Sequence, residues 1–263
     1  MSGAPEPEEI YKRTKEEGER RLARPTLELA STAIAAGLDV VLGITALGLV
    51  SALVGHRGGS ELGHLAGSVA FGIGFVFIVV GRSELFTENF LVPIAGLDRQ
   101  GSSWWKLAEL WTLSPLLNIL GGATLVIVLT THGVLPDGTG APLVEVATKL
   151  DQNGVLAAFA SAVAGGALIT LMTWLVEGHD SMGVKILVSW ITGTLLTLGA
   201  FNHVIVATLE LFFGIRFGAR VGWGDLFENF GIAAVGNIVG GLLFVTLNRT
   251  AQAKAGESAK SSD

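Results

Sequence analysis

Asn118-Ile119-Leu120-Gly121-Gly122 returns 119 residues later as Asn237-Ile238-Val239-Gly240-Gly241, each time inside an apolar run. The same offset carries Glu84 onto His203, so two polar interruptions of apolar stretches, around Arg82–Glu84 and Asn202–His203, are expected at equivalent places in two halves. A long-period repeat with an interrupted hydrophobic segment in each half is a mark of membrane proteins whose broken helices meet near the bilayer midplane.

Composition agrees. Half of the 263 residues are hydrophobic and only 15% are charged, with a mean hydropathy of +0.58, a balance that suits lipid rather than water as solvent. Glycine is abundant, 36 residues against 7 prolines, and the pairs Gly63/Gly67 and Gly236/Gly240 have the small-xxx-small spacing that lets helices approach closely. There is no cysteine, which excludes disulfides, thiolate metal sites and cysteine nucleophiles. A net charge of −6 gives no basic surface for nucleic acid.

A spanning helix takes roughly 20 apolar residues, and six stretches qualify: Leu29–Val54, Leu65–Leu97, Leu107–Leu129, Val155–Val176, Val184–Phe213 and Leu226–Leu247. The second and fifth are too long for one straight helix and carry the polar breaks. Three spans per half is an odd number, so the halves should insert with opposite orientation. With the N-terminus inside, the inner segments hold Lys12, Arg13, Lys15, Arg20, Arg21, Arg24, Arg99, Lys106, Lys185, Arg249, Lys254 and Lys260. The outer loops hold only Arg57, Lys149, Arg216 and Arg220, a bias that places both termini in the cytoplasm. Trp104, Trp105, Trp111 and Trp223 suit the interfacial belt.

The expected organisation is a cytoplasmic arm over 1–28, a transmembrane domain over 29–248 and a disordered cytoplasmic tail over 249–263. The arm is charged throughout and lacks the apolar core of a signal peptide. Ile10, Arg13, Glu17, Arg20 and Leu22 allow either a short amphipathic helix at the interface or a solvated tail.

Ser83-Glu84-Leu85-Phe86-Thr87-Glu88-Asn89 resembles the Glu-Leu-Phe-Thr-Gly-Asn stretch of formate/nitrite transporters, and Phe201-Asn202-His203 resembles their Phe-Glu-His segment. The two Asn-Ile-x-Gly-Gly words are similar to the third- and sixth-helix patterns of that family, and the likeness runs from about Leu29 to Leu247. The resemblance implies an all-α, aquaporin-like protomer of six spans in two inverted three-helix repeats. It further implies assembly as a homopentamer in a bacterial inner membrane, with small monoanions such as formate, nitrite, hydrosulfide and lactate as substrates and no cofactor. Glu88 replaces the family's Gly, Asn202 its Glu, Ala207 a later Asn and Gly166 a fourth-helix Asn, while Arg82 stands where small residues are usual. These departures point to a divergent, YfdC-like branch.

His203 is the one histidine of five inside an apolar span, and an ionisable group at a helix break suggests a proton relay, against the plainer reading of a core histidine held by a carbonyl. Thr87, Asn89 and Asn202 are pore candidates because irregular backbone at membrane depth is tolerated where it lines a cavity. By resemblance the constrictions fall on Phe71, Phe75 and Leu196 outside and on Leu85, Phe86 and Ile169 inside; ordinary packing or lipid contact is the alternative for each. Glu84 is expected to brace its loop, and Asn118 and Asn237 to tie the breaks to neighbouring helices. Arg82 is expected to pair with Asp39 or Glu88, since a lone arginine there stays charged; the alternative is an unpaired Arg82 that faces the pore and selects among anions.

No metal-ligand cluster, phosphate loop or nucleophile–base spacing is present, so an enzyme is not expected. The function expected is a channel or transporter for small monovalent anions or their acids. The alternatives are a neutral-solute channel and a non-transporting membrane component of a stress response.

Overall fold

The computed structural model describes residues 5–97 and 102–260, with the side chains at 102, 103, 257, 259 and 260 left aside. Arg99 and the side chain of Lys260, counted above with the inner cations, lie outside the described residues. The described residues are helical and contain no strand: α1 (Pro7–Leu22), α2 (Thr26–Gly58), α3 (Ser60–Gly81), α4 (Val92–Ala95), α5 (Ser102–Leu129), α6 (Gly140–Asp151), α7 (Val155–Glu177), α8 (Met182–Leu198), α9 (Val204–Arg216), α10 (Trp223–Val239) and α11 (Leu247–Lys260). A 3₁₀ turn, Phe86–Phe90, precedes α4, and a π-helical stretch, Gly240–Thr246, joins α10 to α11.

Among the described residues, five helices are long and apolar enough to cross a bilayer: α2, α3, Trp104–Leu129 of α5, α7, and the continuous rod Trp223–Gly256; α8 is apolar but shorter. The fold is therefore all-α and multi-pass. Large apolar side chains such as Leu53, Phe77, Leu116, Leu120 and Phe244 point outward, as a lipid-facing surface requires. The interior is filled by a single large cluster that includes Val40, Ile44, Phe71, Phe75, Leu85, Phe86, Phe90, Ile169, Leu196 and Phe213.

Missing side chains decide how close the helices come. A Cβ on Gly37 of α2 would strike the carbonyl of Asn118 on α5, and one on Gly166 of α7 would strike the backbone of Asn237 on α10. The two Asn-Gly-Gly words thus sit where helices touch backbone to backbone, which only glycine permits. In the same way, Gly72 of α3 meets Trp190 of α8, and Gly193 of α8 meets Phe75 of α3.

The described parts of the arm and of the tail are helical. Residues 247–260 form α11 instead of a disordered tail, because the Ala-rich segment has high helix propensity and extends a helix already nucleated by α10. The arm forms α1, started by Pro7 with Glu8 and Glu9 in the first turn and Arg20 and Arg21 in the last, which matches the helix dipole. It is docked rather than solvated: Gly18 lies against the backbone of Val92 and Gly96, and Ile10 packs with Leu91 and Trp174.

Candidate functional site

Both long hydrophobic segments stop and restart. α3 ends at Gly81 with Arg82 in the left-handed region (φ 55), and α8 ends at Leu198 with Ala200 likewise (φ 48). After each, the same six-to-one bond closes the cap, Ser83 N–H to Ile78 C=O at 3.0 Å and Phe201 N–H to Leu196 C=O at 2.9 Å. Every member of one cap lies 118 residues from its counterpart. Glycine is the usual residue at such a cap, so arginine and alanine hold it at some conformational cost.

The repeated asparagines then brace the restart. Asn118 donates to the carbonyls of Ala33 (2.8 Å) and Glu84 (2.9 Å) and accepts from the N–H of Phe86 (3.0 Å). Asn237 donates to Ala162 (2.7 Å) and Asn202 (2.9 Å) and accepts from Val204 (2.9 Å). These bonds correct the sequence register by one residue. Glu84 corresponds to Asn202 and Leu85 to His203; the 119-residue offset of α5 and α10 shrinks to 118 at the breaks.

His203 caps the start of α9. Its Nδ1 accepts from the Val206 N–H at 3.2 Å, so that nitrogen carries no proton in the neutral ring, and Nε2–H is left to donate to Thr87 Oγ1 at 2.6 Å. Among the described residues the Thr87 hydroxyl donates to no other group, which leaves its proton for a further acceptor. Both side chains are fully enclosed, and Phe75 stands edge-on to the imidazole at 6.2 Å. The contact therefore joins the two breaks at a point closed to solvent.

Phe71, Phe75, Leu85, Phe86, Ile169 and Leu196 are all buried in one apolar cluster inside the protomer, none of them on the lipid face. Asn89 and Asn202 are not brought to the imidazole. The Asn202 amide is taken up by Asn229 (2.8 Å) and the Ala158 carbonyl. Asn89 accepts from Arg21 (3.2 Å) and holds Leu85 and Trp111 through its amide and carbonyl.

The expected pairing of Arg82 does not form. Asp39 accepts from the Ser83 hydroxyl at 2.6 Å, Glu88 has Arg21 at 3.9 Å, and Arg82 is exposed with no ion pair among the described residues. The left-handed cap is the physical reason, since it turns the arginine out of the segment that carries Glu84 and Glu88. Their cations come from the arm. Arg21 reaches Glu84 at 3.2 Å, Arg24 donates to the other Glu84 oxygen, and Glu17 accepts from Arg20 and Arg21. Burial works against the Arg21 charge, but Glu84, Glu88 and Glu17 together raise its pKa well above the ordinary range. Burial would raise Glu17, yet hydrogen bonds and charge from Arg20 and Arg21 hold it down at about 2. Sequence placed Arg21 and Arg24 only by side of the membrane.

On the side away from the arm, a cavity of 1220 Å³ opens between the end of α2, the start of α3, α6 and the α8–α9 break. Leu196 lines it, as do Phe201 and Glu210. Glu210 is a residue that the sequence reading passes over. A lone acid in the apolar run Val204–Gly214, seven residues from His203, is the signal that marks it.

Residues 8–250 match the sequence profile of the family described as formate/nitrite transporter. The chain is similar to the inner membrane protein YfdC of Escherichia coli (strain K12), with 27% identity over 92% of this chain and 77% of that one. Its fold is similar to a solved FNT family ion channel (TM-score 0.79, 19% identity, 91% of this chain and 96% of that one). It is similar also to a solved pentameric formate channel with formate bound (TM-score 0.71, 23% identity, 84% and 94%).

Proposed function

This chain belongs to the formate/nitrite transporter family, a class of channels and transporters rather than enzymes, and we propose that it passes formate, nitrite or a similar small monoanion as the conjugate acid, with His203 as the proton relay. The observation that carries this reading is the fully buried 2.6 Å contact between His203 and Thr87, two residues from the breaks of different halves, with Phe75 edge-on to the imidazole; in this reading Phe71, Phe75 and Leu196 form the outer constriction and Leu85, Phe86 and Ile169 the inner one.

The energetics favour a neutral cargo. A bare charge at the bilayer centre costs about 3 kcal/mol on insertion scales, roughly a hundred-fold in rate. Moving the proton with the anion removes most of that barrier. His203 suits the task of a relay because Nε2–H and the Thr87 hydroxyl form a donor chain, the proton that arrives with the anion replacing the one passed on so that the ring ends neutral, and the N-terminal end of α9 favours negative charge nearby. Asn89 and Asn202, whose amides are engaged by the protein, act in this reading as braces of the pore wall.

The architecture follows as six membrane passes in two inverted repeats, the second and fifth broken. The 118-residue relation of the caps supports it, as do the contacts between equivalent positions, Gly72 with Trp190 and Phe75 with Gly193. We place the arm and both termini on the cytoplasmic side of a bacterial inner membrane, by the lysine and arginine bias, and the assembled form as a homopentamer.

The test is flux of formate and nitrite into proteoliposomes across pH. His203→Asn keeps polarity without titration, so it should fold normally and lose the pH dependence of uptake. Uptake with an unchanged pH profile in that variant removes the relay, and no anion flux in the wild type removes the transport reading.

A further inference from the structure

Glu210 lies on α9 seven residues beyond His203, hence on nearly the same helix face and about 10 Å farther along the axis. It is only 7% exposed, and its side of α9 lines the 1220 Å³ cavity. No hydrogen bond or ion pair to its carboxyl exists among the described residues, although the other buried carboxylates Glu84 and Glu88 are both answered by arginine. The cavity's other charged or titratable groups are His56 and Arg57 from α2, His64 from α3, Asp137 from the loop before α6, and Glu145 and Lys149 from α6. Lys149 is already committed to Glu145 at 2.7 Å. A buried carboxyl without a protein partner is satisfied by what enters the cavity.

We propose that Glu210 is the proton-exchange site of this vestibule, donating first a hydrogen bond and then its proton to a small monocarboxylate or monobasic oxyanion that enters there. The Glu210 O–H bond breaks, an O–H bond forms on the substrate, and the resulting carboxylate regains a proton delivered as hydronium from the solution that fills the vestibule, so that one proton leaves that solution for each anion loaded. The acid then meets Leu196 uncharged. Two groups of similar intrinsic acidity exchange a proton with little cost, so no strong acid is required. His203 cannot do this first step, because it lies fully enclosed at the Phe75 ring, where the substrate would have to arrive still charged. The inference rests on the transport reading above and adds the residue that loads the cargo.

Wild type, Glu210→Gln and Glu210→Asp are to be compared in proteoliposomes for formate flux against pH, with thermal midpoint and oligomer size as folding controls. In parallel, formate is added to the membrane-embedded proteins and the carboxyl-stretch region is followed by infrared difference spectroscopy. The expected result is at least a ten-fold loss of flux at neutral pH in Glu210→Gln, a retained but shifted pH profile in Glu210→Asp, and a formate-dependent carboxyl band in wild type that Glu210→Gln lacks. Should Glu210→Gln fail to fold, the aspartate profile and a shift of the wild-type band in Glu210→Asp decide. Wild-type flux and pH profile in Glu210→Gln, or a band that responds to sodium and not to formate, overturn the proposal. A wild type that shows the Glu210 band but carries no formate leaves the site standing and removes the transport reading instead.

Discussion

The two breaks share a backbone and differ in what holds it. At the first, the segment after Arg82 is pinned by charge, with Glu84 and Glu88 facing Arg21 and Arg24 of the arm. At the second, neutral groups serve: Ser161 donates to the Ala200 carbonyl and accepts from the Asn202 N–H, while Asn202 exchanges amide bonds with Asn229. One geometry thus tolerates two chemistries, because the caps and the Asn118 and Asn237 braces act through backbone groups, which every sequence has. The charged version also makes the first break depend on a segment outside the repeat.

That dependence predicts the largest effect. Arg21→Ala leaves Glu84, Glu88 and Glu17 short of a cation in a poorly hydrated place, and should lower stability by about 3–5 kcal/mol in detergent-solubilised thermal unfolding. Adding Glu84→Gln should recover part of the loss. A simple sum of the two single effects would mean that the arm does not pin the break.

The shared braces come next. Asn118→Ala and Asn237→Ala each orphan two carbonyls and one N–H inside the protein, and each should cost about 1–3 kcal/mol per group left unsatisfied, less whatever water replaces. Equal losses in the two variants would show the braces to be equivalent; a much smaller loss at Asn118 would mean that the arm's ion pairs carry the first break alone.

Acid should separate the breaks in a different way. Glu17 has its folded pKa depressed from 4.5 to about 2, so its contribution is full above about 4.5 and is lost as pH falls through 2, where the folded chain takes up the proton that the unfolded chain already holds. The thermal midpoint of wild type should therefore fall across that window more steeply than that of Glu17→Gln. The neutral second break should contribute nothing to the difference.

The smallest effect belongs to the caps. Ala200→Gly relieves a left-handed residue by about 1–2 kcal/mol while adding unfolded-chain freedom of about 0.4–1 kcal/mol, for a net gain of about 0–1.6 kcal/mol. Differential scanning of the two proteins would show it, and a loss of stability would mean that the Ala200 methyl group is packed more tightly than its cap requires.

Much of the fold is legible in the sequence. The repeated Asn-Gly-Gly words, the apolar runs and the polar breaks are local patterns, and lipid as solvent leaves helices as almost the only answer to such runs. His203 and Thr87 stand out for the same reason, as polar residues in places where hydrocarbon makes polarity expensive. Register and partnership are not written there. A one-residue shift between α5–α10 and the breaks changes which residue of one half answers which of the other, and it comes from caps closed by backbone bonds that no side chain advertises. Arg21 and Arg24 of the arm reach Glu84 across 63 and 60 residues of chain, and Arg82, six residues from Glu88, turns away because a left-handed cap points it outward. Glu210 is visible by sequence as a lone acid in an apolar run, but only the packed helices show that a cavity lies beside it. Composition and periodicity are set by each residue's own transfer energy, so the sequence determines them alone; charge pairing and the loading of a cavity depend on distances between segments, and those exist only once the helices have packed.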